Sequence, residues 1–266
     1  MNVRVFAQSL FQVRRSLIAV GVGAAAFFYL LLLSSSSFVT DLSIEGFLRN
    51  PPRAVQALMG GSFDFLRPSG WVATGMSHPL TLSMFAASAL MIASGAVATE
   101  VERGTIDLVL TRPIRRRSFL AGKAVAAIVA VTFVEAMGLT SALVARVTIE
   151  KVDEVTIAEL GRAFFGSWLL FSSLAMVAVL VSARSSLRGR AIGLSVGIVI
   201  VSFFVNFMAL LIDELYGLRF LSAFHYFRAV EVMAGDSLSS LWVLVALGVA
   251  AATAAFVAFS KRDIRR

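Results

Sequence analysis

The chain has 266 residues, of which 58% are hydrophobic and 15% are charged, and its mean hydropathy is +0.86. Soluble domains are nearer half apolar and a quarter charged, so this composition excludes an ordinary soluble domain and predicts a polytopic membrane protein. The absence of cysteine excludes disulfides, thiolate metal sites and thiol catalysis.

The first 15 residues carry an apolar helical stripe of Val3, Phe6, Leu10 and Val13. Such a segment can lie at the inner membrane interface; a plain membrane anchor is the alternative. The apolar run that follows is longer than the core of a usual signal peptide, so we interpret it as a retained first span.

Six apolar runs are long enough to cross a bilayer, and lipid-facing backbone must be helical. The fold class is therefore all-α, with six transmembrane helices in one transmembrane domain, residues 1–266. The predicted spans are about 16–34, 79–98, 124–145, 163–182, 191–212 and 240–259.

Lysine and arginine set the orientation. If both termini are cytoplasmic, the inside segments hold about twice as many of these residues as the outside ones. This bias accounts for the net charge of +8 without a nucleic-acid partner. The positive charge also predicts contact with anionic membrane lipid.

Between the second and third spans the chain reads ATEVERGTIDLVLTRPIRRRSFLAGK. The pattern predicts a short cytoplasmic helix over 104–112, capped by Thr105 and ended by Pro113. A helix this short is marginal in water, so its apolar face needs a cover. The residues leave open whether this cover is the membrane surface or a cytoplasmic partner. The face consists of Ile106, Val109 and Leu110.

The same stretch resembles the signature of the ABC type-2 permease family. That signature has Glu-x-x-x-Gly-Thr, apolar residues, a Thr/Ser-x-Pro turn, a basic pair and a lysine that opens the next helix. The six-span layout, FLSAFHYF before the last span and the ending FSKRDIRR extend the resemblance over most of the chain. The matching positions are Glu100, Gly104, Thr105, Leu108, Leu110, Thr111, Pro113, Arg116, Arg117, Phe119, Gly122 and Lys123.

The resemblance implies a transmembrane permease subunit of an ATP-driven ABC exporter in the cytoplasmic (inner) membrane. The loop 100–117 would be a coupling helix that docks into a separate P-loop ATPase. Residues 1–15 would form an amphipathic elbow helix that touches the same partner. ATP and Mg would be bound by that partner, since FLAGKAVA lacks the upstream glycine and the Ser/Thr of a P-loop. The docking residues are expected to be Glu100, Arg103, Gly104, Thr105, Ile106, Asp107, Val109, Leu110 and Pro113.

Gly189, Gly193 and Gly197 repeat every four residues in the fifth span and share one helix face. Small residues allow close helix packing, either within the chain or between subunits. The resemblance implies pairing of two permeases through their first and fifth spans. The partner would be a second copy of this chain or a homologous permease.

Glu135 and Asn206 are the candidate pathway residues, because polar groups inside a span face protein or water. The alternative is that both are hydrogen-bonded packing groups. An ATP-independent ion-coupled carrier would use Glu135, but such carriers often have broken helices and these spans look continuous. A membrane-embedded lipid enzyme needs several converging groups, whereas Glu135 stands alone in its span.

Overall fold

The computed structural model describes residues 1–38, 51–59, 67–104, 115–150 and 152–262. The prediction of an all-helical chain is confirmed, since none of these residues forms a strand. The α-helices are α1 Val3–Phe38, α2 Arg53–Leu58, α3 Pro68–Ser77, α4 Pro79–Ala93, α5 Ala98–Glu102, α6 Arg116–Thr148, α7 Ile157–Arg184, α8 Arg188–Leu211, α9 Ala229–Ala234 and α10 Leu241–Lys261. Short 3₁₀ helices lie at Val152–Glu154, Asp213–Leu221, Ala223–Tyr226 and Leu238–Ser240.

Five single helices in the described part of the chain are long and apolar enough to cross a membrane: α1, α6, α7, α8 and α10. The consecutive helices α3 and α4 meet the same criterion together and raise the number to six. These helices support a multi-pass membrane protein.

The second span differs from the continuous helix expected over 79–98. It consists of α3 and α4, which meet at an angle of 48°, and α4 ends at Ala93, before the end of the expected range. Pro79 causes the break, because a proline disfavours helical backbone in the residue before it. His78 is accordingly extended, and its Nδ1 accepts a hydrogen bond from the backbone N–H of Leu80 at 3.2 Å. The expectation of continuous spans is therefore wrong for this element.

Helix α1 contains the predicted elbow and the first span without a break between them. Its 36 residues correspond to about 54 Å at 1.5 Å per residue, against roughly 30 Å of bilayer hydrocarbon. The N-terminal turns also contact protein: the Asn2 N–H donates to the carbonyl of Ser118 at 3.1 Å. Val5, Phe6, Leu10 and Val13 pack on the buried core. Three residues of the predicted stripe, Phe6, Leu10 and Val13, are therefore partly covered by this chain itself, whereas Val3 is exposed.

Helices α6 and α7 form the centre of the bundle. Helix α1 packs along α6, α10 packs along α7, and α4 contacts both central helices. Buried aromatic rings fill the contacts, with Phe28 edge-on to Phe164 and Phe85 edge-on to Phe171, each pair at 5.6 Å between centroids. Gly138 leaves room for one of these rings, because a Cβ there would lie 2.9 Å from Phe164.

The segment after α8 turns back along the helix that precedes it. The Ser222 hydroxyl donates to the carbonyl of Ser202 at 2.6 Å, and the Ala223 N–H donates to the Ser202 hydroxyl at 3.0 Å. Ser202 lies in the middle of α8, so the 3₁₀ segment reaches well down its length. Phe224 follows and packs edge-on against Phe171 and Phe203.

Candidate functional site

Helix α5 begins the predicted docking segment, and its first backbone donors are capped from another helix. The N–H groups of Val97 and Ala98 both donate to the Ser182 hydroxyl, at 3.0 and 3.1 Å. A helix start leaves several N–H groups without internal partners, and Val97 supplies no side-chain cap. The buried Ser182 therefore fixes the start of α5 to the end of α7.

An ion pair joins α5 to α6. Lys123 Nζ lies 3.3 Å from Glu100 Oε1, and both side chains are largely shielded from solvent. Because a buried charge without its partner is costly, removal of either member of such a pair destabilises a protein by about 3–5 kcal/mol. Glu100 and Lys123 thus hold the docking segment against the first turns of α6.

A third contact joins α5 to α8. Glu102 Oε2 accepts a hydrogen bond of 2.6 Å from the backbone N–H of Arg188, the first residue of α8. A carboxylate is favourable at the positive end of a helix dipole. Polar contacts therefore connect α5 to α6, α7 and α8.

The chain leaves α5 through a glycine turn. Gly104 has a φ of +65°, a left-handed conformation that commonly ends helices. Gly104 itself is therefore not helical, and the rest of the predicted helix 104–112 lies outside the described residues. Arg103, just before it, is exposed. The other expected docking residues lie outside the described part of the chain: Thr105, Ile106, Asp107, Val109, Leu110 and Pro113.

A cavity of about 640 Å³ lies beside α5, between α1, α4, α6 and α8. Its polar lining includes Glu100, Arg103, Lys123 and Arg188, and Gln12 of α1 faces the same space. The Glu100–Lys123 ion pair and Arg188 therefore border an open volume, whereas Ser182 does not line it. A shift of α5 would change the shape of this volume together with the positions of the helix ends.

A family model described as an ABC-2 family transporter protein matches residues 11–264. The chain belongs to the ABC-2 transporter family. No curated protein matches it. The expected family is thus confirmed, and membership makes this chain a membrane transport subunit.

The buried carboxyl of this ABC-2 protein lies at the contact of its two central helices. Glu135 of α6 is 4% exposed, and its Oε1 accepts a hydrogen bond of 2.7 Å from the Ser167 hydroxyl of α7. Its Oε2 has no hydrogen-bond partner among the described residues. Sequence reasoning missed Ser167, although a serine in an apolar run is a signal that one side of the helix faces protein.

Asn206 lies in a different contact. It is buried in α8 and lines a small cavity with Leu58, Leu82 and Phe224, among others. The ABC-2 protein therefore does not place its two candidate pathway residues against the same partners. Among its described residues, no three His, Asp or Glu side chains are grouped as metal ligands would be.

The three glycines of α8 lie on an uncovered surface. A Cβ added at Gly189, Gly193 or Gly197 would have no described atom of another element within 4 Å. In contrast, a Cβ at Gly21 of α1 would lie 3.0 Å from Phe133 of α6. The glycine face of α8 is thus not packed against any other element in the described part of the chain.

Proposed function

We propose that this chain is the membrane-spanning subunit of an ATP-driven exporter, coupled to a separate ATPase through the loop 100–117. The three contacts of α5 carry the proposal. A partner that moves this loop would move the ends of α6, α7 and α8 together, through Lys123, Ser182 and the N–H of Arg188. Coupling to transport requires such a connection between the docking segment and the spans.

In the proposed arrangement the ATPase binds ATP and Mg and closes on the nucleotide. The loop then passes the movement to the spans, because ATP binds one state of the complex more tightly than the other. Both termini face the cytoplasm and the chain lies in the cytoplasmic (inner) membrane. The charge bias of the segments between spans supports this orientation.

The glycine face of α8 supports pairing with a second permease, a further copy or a homologue. The face is apolar, it lies on a span, and no described residue of another element covers it. Small residues allow two helix backbones to approach closely in a membrane. The pair would enclose a pathway that neither chain forms alone.

Affinity purification from native membranes in mild detergent tests the coupling. A P-loop ATPase should accompany the chain, and Ile106→Asp combined with Leu110→Asp should release it while the permease stays folded. The matched control is Leu218→Asp with Leu221→Asp, two exposed apolar residues beyond the opposite end of α8, which should retain the ATPase. Retention by the loop variant would show that docking at this loop is wrong.

An ATP-independent ion-coupled carrier is a second candidate, and two observations favour it. The second span is broken at His78, and Glu135 Oε2 is buried without a hydrogen-bond partner in the described chain. Broken helices and buried carboxyls are features of such carriers. Proton flux through liposomes containing this chain alone, abolished by Glu135→Gln, would support it. If these liposomes show no proton flux under an imposed gradient, the ion-coupled carrier is contradicted.

A further inference from the structure

A groove runs between α7 and α10 on the outside of the bundle. Its volume of about 740 Å³ falls within the roughly 300–1,000 Å³ typical of ligand pockets. Ala250, Ala254 and Ala258 of α10 form an apolar floor. Neighbouring residues of α10 such as Val249 and Val257 are exposed on a helix apolar enough to cross the membrane. The groove therefore faces lipid.

Three cations form one end of this groove. Arg184 is the last residue of α7, Lys261 is the last residue of α10, and Arg262 follows. Within the described residues, Arg184 and Lys261 have no hydrogen bond or ion pair, and no acidic side chain lines the groove. The sequence places Asp263 next, outside the described residues. Together, the three cations and the alanine floor are called the basic groove.

Arg262 holds the two helix ends in place. Its Nη1 donates to the carbonyls of Ala183 and Ser185, at 2.8 and 2.9 Å. The carbonyl of Arg262 in turn accepts a hydrogen bond of 2.8 Å from Arg116 Nη1. The basic end is therefore a fixed junction of α6, α7 and α10. No described residue supplies a counter-charge to Arg184 or Lys261.

We propose that the basic groove binds one anionic phospholipid, with its phosphate at Arg184 and Lys261 and an acyl chain along the alanine floor. In a bilayer, hydrocarbon fills an apolar groove, so the charges at its end decide which headgroup stays. Basic pockets between helices on the cytoplasmic side attract anionic headgroups, and a phosphate accepts charge-assisted hydrogen bonds from arginine and lysine. This inference goes beyond transport and shares with the proposed function only the cytoplasmic location of these helix ends.

A helix of another subunit is the other possible occupant, because the alanines also have small-xxx-small spacing. The cations favour the lipid. An apolar helix in the groove would leave Arg184 and Lys261 without a counter-charge, whereas a phosphate supplies one.

The first test compares phosphatidylglycerol with phosphatidylcholine of the same acyl chains. Each is added to the purified chain in neutral detergent, and retained lipid is counted by native mass spectrometry. We expect the chain to retain one phosphatidylglycerol tightly. In the double variant Arg184→Gln with Lys261→Gln, the preference for phosphatidylglycerol over phosphatidylcholine should fall roughly five-fold for each charge removed. The control, Arg15→Gln with Arg117→Gln, removes two exposed charges elsewhere and should keep the preference. Equal retention of both lipids, or equal loss in the control, would overturn the proposal.

The second test fills the groove. Ala254 is half-buried on the groove floor, so Ala254→Leu adds atoms to the groove rather than to the core. It should lower phosphatidylglycerol retention several-fold without changing the monodisperse elution of the chain. Unchanged lipid retention, or a changed oligomeric state alone, would show that a helix occupies the groove or that nothing specific does. Both tests are done in detergent, where the chain has no cytoplasmic side and no ATPase is present. A negative result for lipid binding would therefore not count against the proposed function.

Discussion

Helices α7 and α8 follow each other in the chain and are covered very differently by the rest of the protein. Their mean hydropathies are nearly equal, 2.1 and 2.4, yet 67% of the most apolar window of α7 is buried and only 22% of that of α8. Helix α7 contacts α4, α6, α8, α9 and α10, whereas one side of α8 contacts nothing described. Apolar character therefore decides that a helix enters a membrane, while it does not decide whether the helix lies inside the bundle.

The individual residues of the two helices show a difference in burial that their mean hydropathies do not. Four serines of α7 are buried: Ser167, Ser172, Ser173 and Ser182. Hydroxyls inside a span are more stable against protein than against lipid, so a helix with serines on several sides is surrounded by protein. Helix α8 instead exposes large side chains such as Leu194, Val201 and Phe204.

The largest expected effect is in the filled interior. Gly138→Leu would place a side chain against the rings of Phe164 and Phe85, which are both buried. Overpacking by a whole leucine side chain against buried rings is expected to cost about 3 kcal/mol or more. We expect loss of monodisperse folded protein, measured by size-exclusion chromatography and thermal unfolding. A folded variant with an unchanged melting temperature would show that the α6–α7 contact is looser than described.

A smaller effect is expected where α7 supplies a hydrogen bond. Ser167→Ala leaves Glu135 without its donor and should lower the free energy of unfolding by about 1–3 kcal/mol. Glu135→Met combined with Ser167→Ala should recover most of this loss, because both polar partners are then absent. Ser173→Ala is the matched control, since the buried Ser173 hydroxyl bonds only to its own helix at Leu170. If Ser167→Ala and Ser173→Ala lowered the free energy of unfolding equally, the hydrogen bond from Ser167 to Glu135 would have no special effect on stability.

On the open face, a large side chain should leave the fold intact. A Cβ added at Gly193 meets no described atom of another element within 4 Å. We therefore expect Gly193→Leu to change the free energy of unfolding by less than about 0.5 kcal/mol. Association between permeases should be weakened, measured by cross-linking in native membranes. An unfolded Gly193→Leu chain would contradict the comparison of the two helices. Unaltered association would place the subunit interface on another surface.

The smallest expected effect is at the start of α8. Glu102→Gln removes an exposed negative charge from the N-terminus of that helix and should cost about 0.3–1 kcal/mol at low salt. The cost should shrink at high salt, because the Debye length falls to about 3 Å at 1 M. Thermal unfolding at both ionic strengths measures it, with Glu154→Gln as an exposed control. A cost that salt leaves unchanged would mean that the hydrogen bond matters more than the charge.

Sequence patterns predicted part of the candidate site. The family signature identified Glu100 and Lys123, but it gave no indication that they pair with each other. The contact of Ser182 with the N–H groups of Val97 and Ala98 joins residues far apart in the chain, so no local pattern contains it. The break at His78 could have been predicted, since Pro79 restricts the residue before it whatever the surroundings.

By itself, the sequence determined that the chain is helical, that it crosses a membrane several times and that it belongs to the ABC-2 family. These properties follow from composition, from the length of apolar runs and from one local motif, none of which depends on distant contacts. Only the tertiary structure decided that α7 is central and α8 open, that α5 is connected to three helices and that three cations meet beside an alanine groove. These features depend on which helix faces pack together, and packing depends on the shape of both partners, which a single apolar run does not encode.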